Sequence, residues 1–339
     1  MKENIKNRTL EELKKDLHKT GEPLFRATQI FQWIYQKGVS DFDVMNNLPK
    51  YFKAKLKERY LISNPELFKQ FNSTDGTEKF LFKLKDGNFI ETVIIGAKER
   101  QTLCLSTQVG CKFGCAFCAS GLGGFTRNLD ASEMLGQVLF PRHEKGIDIS
   151  NYVFMGMGEP LDNAKNLLKT ILIMNEPRGL GIAARRITVS TCGIIPAIAL
   201  LKDLKPQINL SISLHAANNK LRNELVPINR RYPLEKLIKA CKEYVDGKGR
   251  LIMLEYVLIK DKNDSIKDAD ELAGIAKILR AKINLIPYSI VEGLRFKTPD
   301  KSRVDLFREA LRKKRVNATV RQSKGKDIKA ACGQLAGRR

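Results

Sequence analysis

The stretch Cys111-Lys-Phe-Gly-Cys115-Ala-Phe-Cys118 places three of the chain's seven cysteines in one short segment with the spacing C-x3-C-x2-C. Lys112 and Gly114 indicate a loop, which argues against three buried apolar cysteines. A loop of this kind can bind three irons of a cubane iron–sulfur cluster and leave one iron open for a ligand. A structural zinc ion is the other alternative. It needs four protein ligands, and the histidines, at positions 18, 143 and 215, lie far from the loop in sequence.

The cysteine loop follows the first of six apolar segments that have the length of strands. These segments are Leu103–Gln108, Asn151–Met155, Arg186–Thr191, Ile208–Leu214, Leu251–Leu258 and Lys282–Ile286. Segments of helical length separate them, and repeated βα units predict an α/β fold with helices packed against a parallel sheet. Six units are too few for a closed eight-stranded barrel, so we predict a partial (βα)6 barrel over residues 101–290. A doubly wound sheet is the alternative that periodicity leaves open.

The regions on either side of this core have different patterns. Residues 1–75 show helical apolar spacing and predict an N-terminal helical accessory domain. Residues 76–100 hold two β-rich runs around Asp86-Gly87, which predicts a β-hairpin extension. Residues 291–339 predict a helix, a strand and a turn-rich tail that contains Cys332.

The chain carries 60 Lys and Arg against 37 Asp and Glu, a formal net charge of +23. This excess indicates a polyanion partner, because lysine and arginine neutralise phosphates; a solubilising surface is the alternative. The basic residues that flank Cys332 in sequence are Arg312-Lys-Lys-Arg315, Lys324, Lys326, Lys329 and Arg338-Arg339. We see no secretory signal, no basic anchor helix and no run of about 20 apolar residues. We therefore expect a cytoplasmic protein that binds nucleic acid and does not contact a membrane.

Further motifs follow the predicted strands. They are Gly156-Met-Gly-Glu-Pro160 after the second strand, Ser190-Thr-Cys-Gly193 after the third, Ser213-Leu-His215 at the end of the fourth and Asn284-Leu-Ile-Pro287 at the end of the sixth. In parallel α/β folds ligands bind at the carboxyl ends of the strands. We therefore expect these motifs and the cysteine loop to form one site, in which Gly156 and Gly158 let the backbone approach a ligand closely.

The cysteine spacing, with the aromatic Phe117 before the last cysteine, resembles the signature of the radical S-adenosylmethionine (SAM) superfamily. The resemblance implies a [4Fe–4S] cluster on Cys111, Cys115 and Cys118 whose open iron binds the amino and carboxylate groups of SAM. It implies one-electron cleavage of SAM to a 5′-deoxyadenosyl radical. The 156–160 motif is similar to the glycine-rich element of that superfamily, with Glu159 facing the methionine ammonium.

A wider set of segments resembles the RlmN/Cfr family of RNA adenosine methyltransferases. The segments are Leu103-Cys-Leu-Ser-Thr-Gln-Val-Gly-Cys111, Gly124-Phe-Thr-Arg-Asn-Leu129, the 156–160 motif, Ser211-Ile-Ser-Leu-His-Ala216, Asn284-Leu-Ile-Pro-Tyr288 and Ala330-Ala-Cys-Gly-Gln-Leu-Ala-Gly337. The resemblance runs from about Phe89 to the C-terminus and extends more loosely to Arg26-Ala-Thr-Gln-Ile-Phe-Gln-Trp33. It implies that the N-terminal domain binds RNA.

This resemblance implies three catalytic residues outside the loop. Cys332 carries the methyl group as S-methylcysteine, Cys104 is the resolving cysteine that forms a transient disulfide with Cys332, and Glu91 is the proton acceptor. For Glu91 the alternative is an ordinary charge on a hairpin strand. Cys192 and Cys241 are interpreted as structural.

The residues implied to contact SAM are Gly158, Glu159, Ser190, Ser213, Leu214, His215 and Ser289. For His215 the alternative is a hydrogen-bonded core histidine. Ser289 departs from the family pattern, in which we expect asparagine, although a serine hydroxyl can still hydrogen-bond to the ligand.

The implied reaction is methylation of C2 of adenine 2503 in 23S rRNA, and of C2 of adenine 37 in tRNAs, with two SAM per turnover. Methylation of C8 of the same rRNA adenine, as in the Cfr branch, is the alternative. A one-electron reductase such as flavodoxin or ferredoxin is an implied partner, and we expect a monomer. A non-catalytic RNA-binding protein with a structural metal is a rival, but it has no need of Cys332. A radical SAM enzyme for a small molecule fits poorly with the net charge.

Overall fold

Three helices and a small parallel ribbon form the N-terminal part of the computed structural model, which describes residues 2–97 and 100–337. These elements are β1 (Glu3–Asn4), α1 (Leu10–His18), α2 (Phe25–Phe31), α3 (Lys50–Arg59) and β2 (Tyr60–Leu61), with β1 paired to β2. Thr9 and Glu12 form a reciprocal capping box that begins α1. Helix α2 continues into a π-helical turn, Gln32–Gln36. The helices predicted from apolar spacing in this region are therefore present.

An antiparallel extension of three strands follows: β3 (Glu66–Asn72), β4 (Glu78–Lys83) and β5 (Phe89–Ala97). The predicted hairpin is β4–β5, and its turn needs Gly87 at φ +84°. Strand β3 was not predicted, because an edge strand that is mostly exposed lacks apolar alternation. The predicted domain limit at residue 75 stays a prediction, although β3, which precedes it, pairs with β4.

Strand β6 (Arg100–Cys104) joins the extension to the barrel, because it pairs antiparallel with β5 and parallel with β9 (Asn151–Phe154). The first barrel strand was predicted to reach Gln108, and this limit is wrong. The chain bends after Cys104, and two short antiparallel strands, β7 (Gln108–Gly110) and β8 (Phe125–Asn128), flank the cysteine loop.

The remaining strands continue the sheet in chain order with parallel neighbours. They are β10 (Ile187–Thr191), β11 (Asn209–Ser213), β12 (Met253–Leu258), β13 (Lys282–Pro287) and β14 (Ala318–Val320). The helices of this part are α4 (Ala131–His143), α5 (Ala164–Asn175), α6 (Ile195–Asp203), α7 (Asn219–Leu225), α8 (Leu234–Lys248), α9 (Ile266–Leu279) and α10 (Lys301–Lys313). Consecutive strand order excludes a doubly wound sheet, in which the order reverses. The predicted partial barrel is confirmed.

The two faces of the barrel strands differ in polarity. Outward residues such as Val189, Ile212 and Leu254 are buried in the core beneath the helices. Alternate residues face the interior, and there the chain places polar side chains such as Ser211 and Glu255. A polar, incompletely filled interior is the place for a ligand.

Residues 321–337, called the tail from here on, cross the open side of the barrel from β14 to the extension. Lys324 Nζ donates to the carbonyl oxygen of Gly96, and the Gly325 N–H donates to the Asp75 carboxylate over 2.8 Å. Ser73 Oγ donates to Asp327 over 2.6 Å. The tail is thus bonded to the extension before it reaches Cys332.

Candidate active site

The cysteine loop is held at both ends by backbone contacts. The Cys111 N–H donates to the Gly124 carbonyl oxygen over 2.9 Å, and the N–H of Ala119, directly after Cys118, donates to the Gly333 carbonyl oxygen over 2.7 Å. Gly110 precedes the loop at φ +74°, and a Cβ there would lie 1.9 Å from the Gly124 oxygen, so only glycine fits. The three cysteines line one cavity of about 160 Å³, which we call the loop cavity.

These thiols suit a cluster better than a single metal ion. In the part of the chain that the structure describes, no three His, Cys, Asp or Glu side chains are grouped closely enough to hold one ion. A tetrahedral zinc ion would gather its sulfurs at about 2.3 Å from one centre, whereas the cysteines of a cubane bind different irons. Burial raises the pKa of Cys111 to about 11, so binding the cluster must displace protons from these thiols.

The glycine-rich motif packs against the segment that leads into the loop. A Cβ at Gly156 would lie 2.7 Å from Ser106 Oγ, and one at Gly158 would lie 2.5 Å from Gln108 Cβ. Glu159 is buried beside the loop cavity, and its two oxygens accept the N–H groups of Leu161 (3.0 Å) and Cys192 (2.8 Å). Burial raises the pKa of Glu159, and these N–H groups oppose the shift. Each oxygen keeps a lone pair for a cationic ligand.

Ser190, Ser213 and His215 lie together on the same wall of the loop cavity. The two serine hydroxyl oxygens are 3.1 Å apart. His215 adopts φ +58°, and its Nδ1 accepts the Val257 N–H over 3.0 Å. Burial lowers the pKa of His215 to about 3, so the ring is neutral and its proton is on Nε2. His215 can therefore donate one hydrogen bond from Nε2.

Two of the residues predicted to contact SAM, Leu214 and Ser289, do not line the loop cavity. The Leu214 side chain is buried in the core, and Leu214 is not among the residues that line the loop cavity, although Ser213 and His215 on either side of it are. Ser289 is buried and is not among the residues that line this cavity; its Oγ has no hydrogen-bond partner among the described residues. Both stay predictions as ligand contacts.

The structure brings Cys104 to the part of the tail that holds Cys332, because Cys104 packs in one buried cluster with Ala330 and Leu335. Cys104 ends strand β6 and is buried, and burial together with the neighbouring Cys332 raises the pKa of Cys104 to about 12. Cys332 lines the loop cavity with the three loop cysteines, and all seven cysteines are free thiols. The Ala119 N–H donates to the Gly333 carbonyl oxygen over 2.7 Å, which joins the tail to the cysteine loop.

Glu91 holds the tail on the other side of Cys332. Its Oε1 lies 2.9 Å from Lys79 Nζ, and its Oε2 accepts the N–H groups of Ala336 (2.7 Å) and Gly337 (3.0 Å). Glu91 is buried on strand β5 and does not line the loop cavity. Its observed contacts position the tail, and its role as proton acceptor stays a prediction.

Three residues that sequence reasoning did not select belong to this region. Arg222 is fully buried and donates to the carbonyl oxygens of Cys192 (2.7 Å) and Leu214 (3.1 Å), which supports two of the ligand-binding turns. Glu255 and Arg321 line the loop cavity. The sequence signal for Glu255 was a carboxylate in the middle of an apolar strand, whereas Arg321 resembles the other basic residues near the C-terminus.

Fold and site together define a radical SAM enzyme with an added RNA-related domain. The model of the Radical SAM superfamily matches residues 105–273, and that of the ribosomal RNA large subunit methyltransferase N-terminal domain matches residues 3–62. The chain is 46% identical to a probable dual-specificity RNA methyltransferase RlmN from Clostridium novyi, over 98% of this chain and 97% of the relative. It is 45% identical to the dual-specificity RNA methyltransferase RlmN from Nautilia profundicola, over 93% of each.

A solved structure agrees with these matches. A radical SAM methyltransferase from Sphaerobacter thermophilus superposes with a TM-score of 0.93 at 43% identity, covering 99% of this chain and 100% of that one. The chain belongs to the RlmN family of dual-specificity RNA methyltransferases. The predictions of a radical SAM RNA methyltransferase, and of a [4Fe–4S] cluster and SAM as its cofactors, are confirmed. Among the described residues, no helix has the length and apolar character needed to cross a membrane.

Proposed function

We propose that this chain methylates C2 of adenine 2503 in 23S rRNA and C2 of adenine 37 in tRNAs, using two SAM per turnover. The observation that carries the proposal is that Cys332 lines the loop cavity while the buried Cys104 packs in one cluster with Ala330 and Leu335, which lie on either side of Cys332 in the tail. A radical SAM enzyme that only cleaves SAM needs the three loop cysteines. Two further thiols at the same site suit a reaction in which a methyl carbon is carried on protein sulfur.

The reaction needs such a carrier because adenine C2 lies between two ring nitrogens and is electron-poor. It does not attack a methyl sulfonium as an amine does. The cluster and SAM, when bound, supply radical chemistry in the loop cavity. Cys332 accepts a methyl group on its sulfur and presents that carbon to the base. Cys104 then bonds to the Cys332 sulfur as a disulfide while the bond between that sulfur and the methyl-derived carbon breaks, and this carbon takes up a proton to complete the methyl group on the released base. Cleavage of the second SAM would take up the two electrons that disulfide formation releases, and a thiol reductant must restore Cys104 and Cys332 before the next turnover.

Other residues of the chain hold the ligands and the proton in this proposal. Gly158 and Glu159 receive the methionine ammonium, and Ser190, Ser213 and the neutral His215 hydrogen-bond to the rest of SAM. Leu214 contributes its backbone, and Ser289 would have to reach SAM from its buried position. Glu91 takes the C2 proton, for which it must release at least one of its N–H contacts to the tail.

RNA binding uses the basic surface in this proposal. Lys326 and Lys329 are exposed on the tail, and Arg312 is exposed at the end of α10, where Glu309 pairs with it. Arg338 and Arg339 lie outside the described residues. The N-terminal domain contributes a second RNA-binding surface in this proposal. The electron donor is a flavodoxin or ferredoxin, and the protein acts as a monomer in the cytoplasm.

Mass spectrometry of rRNA and tRNA tests the function directly. A strain that lacks this gene should lose 2-methyladenosine at both sites, and the wild-type gene should restore it, whereas a Cys332→Ala gene should not. Loss of 8-methyladenosine instead would assign the C8 reaction, and unchanged RNA would contradict the proposal.

A further inference from the structure

A second cavity of about 690 Å³ lies in the barrel interior beneath the loop cavity; we call it the interior cavity. Its volume is within the range of roughly 300–1,000 Å³ that is usual for small-molecule pockets. The two cavities share five lining residues, which are Met155, Glu255, Ile286, Arg321 and Cys332. A group bound in the interior cavity would therefore lie next to the sulfur that carries the methyl group.

The charged side chains that line the interior cavity are cationic with one exception among the described residues. Arg250, Lys282, Lys324 and Arg321 line it, and exposed residues such as Leu251 lie at its rim. Among the described residues that line it, Glu255 is the single acidic side chain. A cationic mouth suits the phosphates of an RNA strand, so the lone carboxylate inside calls for a separate explanation.

Glu255 is buried, with 4% of its surface exposed, and one of its two carboxylate oxygens lacks a hydrogen-bond partner among the described residues. Asn284 Nδ2 donates to Oε1 over 3.3 Å, whereas Oε2 has no hydrogen-bond partner among the described residues. Burial raises the pKa of Glu255, and the nearby Arg321, Asn284 and Ser211 oppose the shift. An unpaired buried carboxylate oxygen is costly, which indicates that a bound ligand supplies the missing donor.

We propose that Glu255 accepts a hydrogen bond from the exocyclic amino group of the target adenine and thereby selects a purine that carries an amino group at C6. This inference rests on the proposed function. Adenine has an amino donor at C6, whereas guanine has a carbonyl oxygen there, which would face the carboxylate with no proton between them. A site built to hydrogen-bond a substrate N–H discriminates strongly against a base that lacks it. Arg321 offers donors to the ring nitrogens of the same base.

The ribose hydroxyls of SAM are the rival donors, because Glu255 also lines the loop cavity. The charge of the lining favours the RNA base. Glu255 and Cys332 border both cavities, but Arg250, Lys282 and Lys324 line only the interior cavity. The strand register pairs Glu255 with Asn284 on one side and Ser213 on the other, so it lies at the boundary between the two cavities.

The test crosses protein variants with modified RNA. Glu255→Met keeps the side-chain length but removes both acceptors, Glu255→Gln keeps one acceptor oxygen, and Glu243→Met on the exposed side of α8 is the matched control. Each is assayed for kcat/KM on an RNA fragment with either adenosine or purine riboside, which lacks the amino group, at the target position. Iron content and melting temperature establish that the variants fold, and Glu255→Ala replaces Glu255→Met if that variant does not.

We expect the wild type and Glu243→Met to prefer adenosine by about 10- to 100-fold, the range for a hydrogen bond to a charged group. Glu255→Met should lose this preference by slowing on adenosine alone, and Glu255→Gln should stay within about fivefold of wild type on adenosine. Equal losses on both RNAs, or a raised KM for SAM with the preference intact, would overturn the assignment. If the wild type methylates the adenosine fragment, the proposed function holds even when the result for Glu255 is negative.

Discussion

Two groups of cysteines serve this site, and they are assembled in different ways. Cys111, Cys115 and Cys118 lie in one loop that the ribbon β7–β8 holds, so their spacing alone brings them together. Cys104 and Cys332 are far apart in sequence and meet because the tail is bonded to the extension. The loop motif indicates the cofactor, whereas the chemistry performed with it depends on long-range packing.

The loop half of this comparison is tested by removing one ligand. Cys115→Ala should lower iron content after anaerobic reconstitution by roughly tenfold or more and abolish methylation, because two thiolates do not retain the cluster. Iron, sulfide and zinc are measured together. Cys241→Ala, which changes a buried thiol on α8, is the control and should keep its iron. Stoichiometric zinc without iron in the wild type would contradict the assignment.

The tail half is tested by changing its two cysteines separately. Cys332→Ala should form no RNA adduct but still cleave SAM without product, and Cys104→Ala should accumulate a covalent protein–RNA species through methylated Cys332. Both should keep the iron content of the wild type, because neither lies in the loop. Denaturing electrophoresis with and without nuclease shows the adduct. Methylation of RNA by Cys332→Ala would disprove the two-cysteine reaction.

The salt dependence of RNA affinity should show a smaller effect, which involves the lysines of the tail and not the cysteine loop. RNA affinity of the wild type should fall by about 10³-fold or more between 50 and 200 mM salt if six or more phosphates are contacted. Lys326→Ala/Lys329→Ala should reduce the slope of log affinity against log salt by about 1–2. Lys267→Ala/Lys277→Ala on α9 is the matched control. A flat salt response would assign the basic surface to another role.

The smallest expected effect concerns the bond that ties the tail to the extension. Burial raises the pKa of the Asp75 carboxylate, but hydrogen bonds from Thr77 and Gly325 outweigh this effect and lower the pKa to about 2. Asp75→Ala should lower Tm by about 1–3 °C at pH 7 and speed proteolysis of the tail.

The pH dependence of this difference has a definite sign. A carboxylate with a lowered pKa stabilises the fold above its unfolded value of about 3.9, and that stability is lost as the pH falls toward 2. The gap in Tm between wild type and Asp75→Ala should therefore narrow from pH 5 to pH 3. Asp43→Ala, at an exposed carboxylate of the N-terminal domain, is the control for proteolysis. Equal cleavage of the tail in both variants would show that Asp75 does not hold it.

Local patterns were enough to predict most of the fold. Apolar runs separated by helix-length segments predicted the partial barrel, because parallel strands buried on one face by helices must be apolar there. The same rule did not predict strand β3, because β3 is mostly exposed at the edge of the sheet. It also predicted that the first barrel strand continues beyond Cys104, where the strand ends. Local propensity does not show where a chain leaves a sheet to meet another segment.

Within the site, sequence alone determined the cofactor and predicted the cysteines that hold it, because C-x3-C-x2-C and the glycine-rich turn bring their atoms together over a few bonds. Only the tertiary structure decided that Glu91 is engaged by the tail, that Leu214 is turned into the core, and that Glu255 and Arg321 border the space beside Cys332. These arrangements depend on strand register and on the path of the tail. Both are set by contacts between residues that are distant in sequence, and no short-range pattern encodes them.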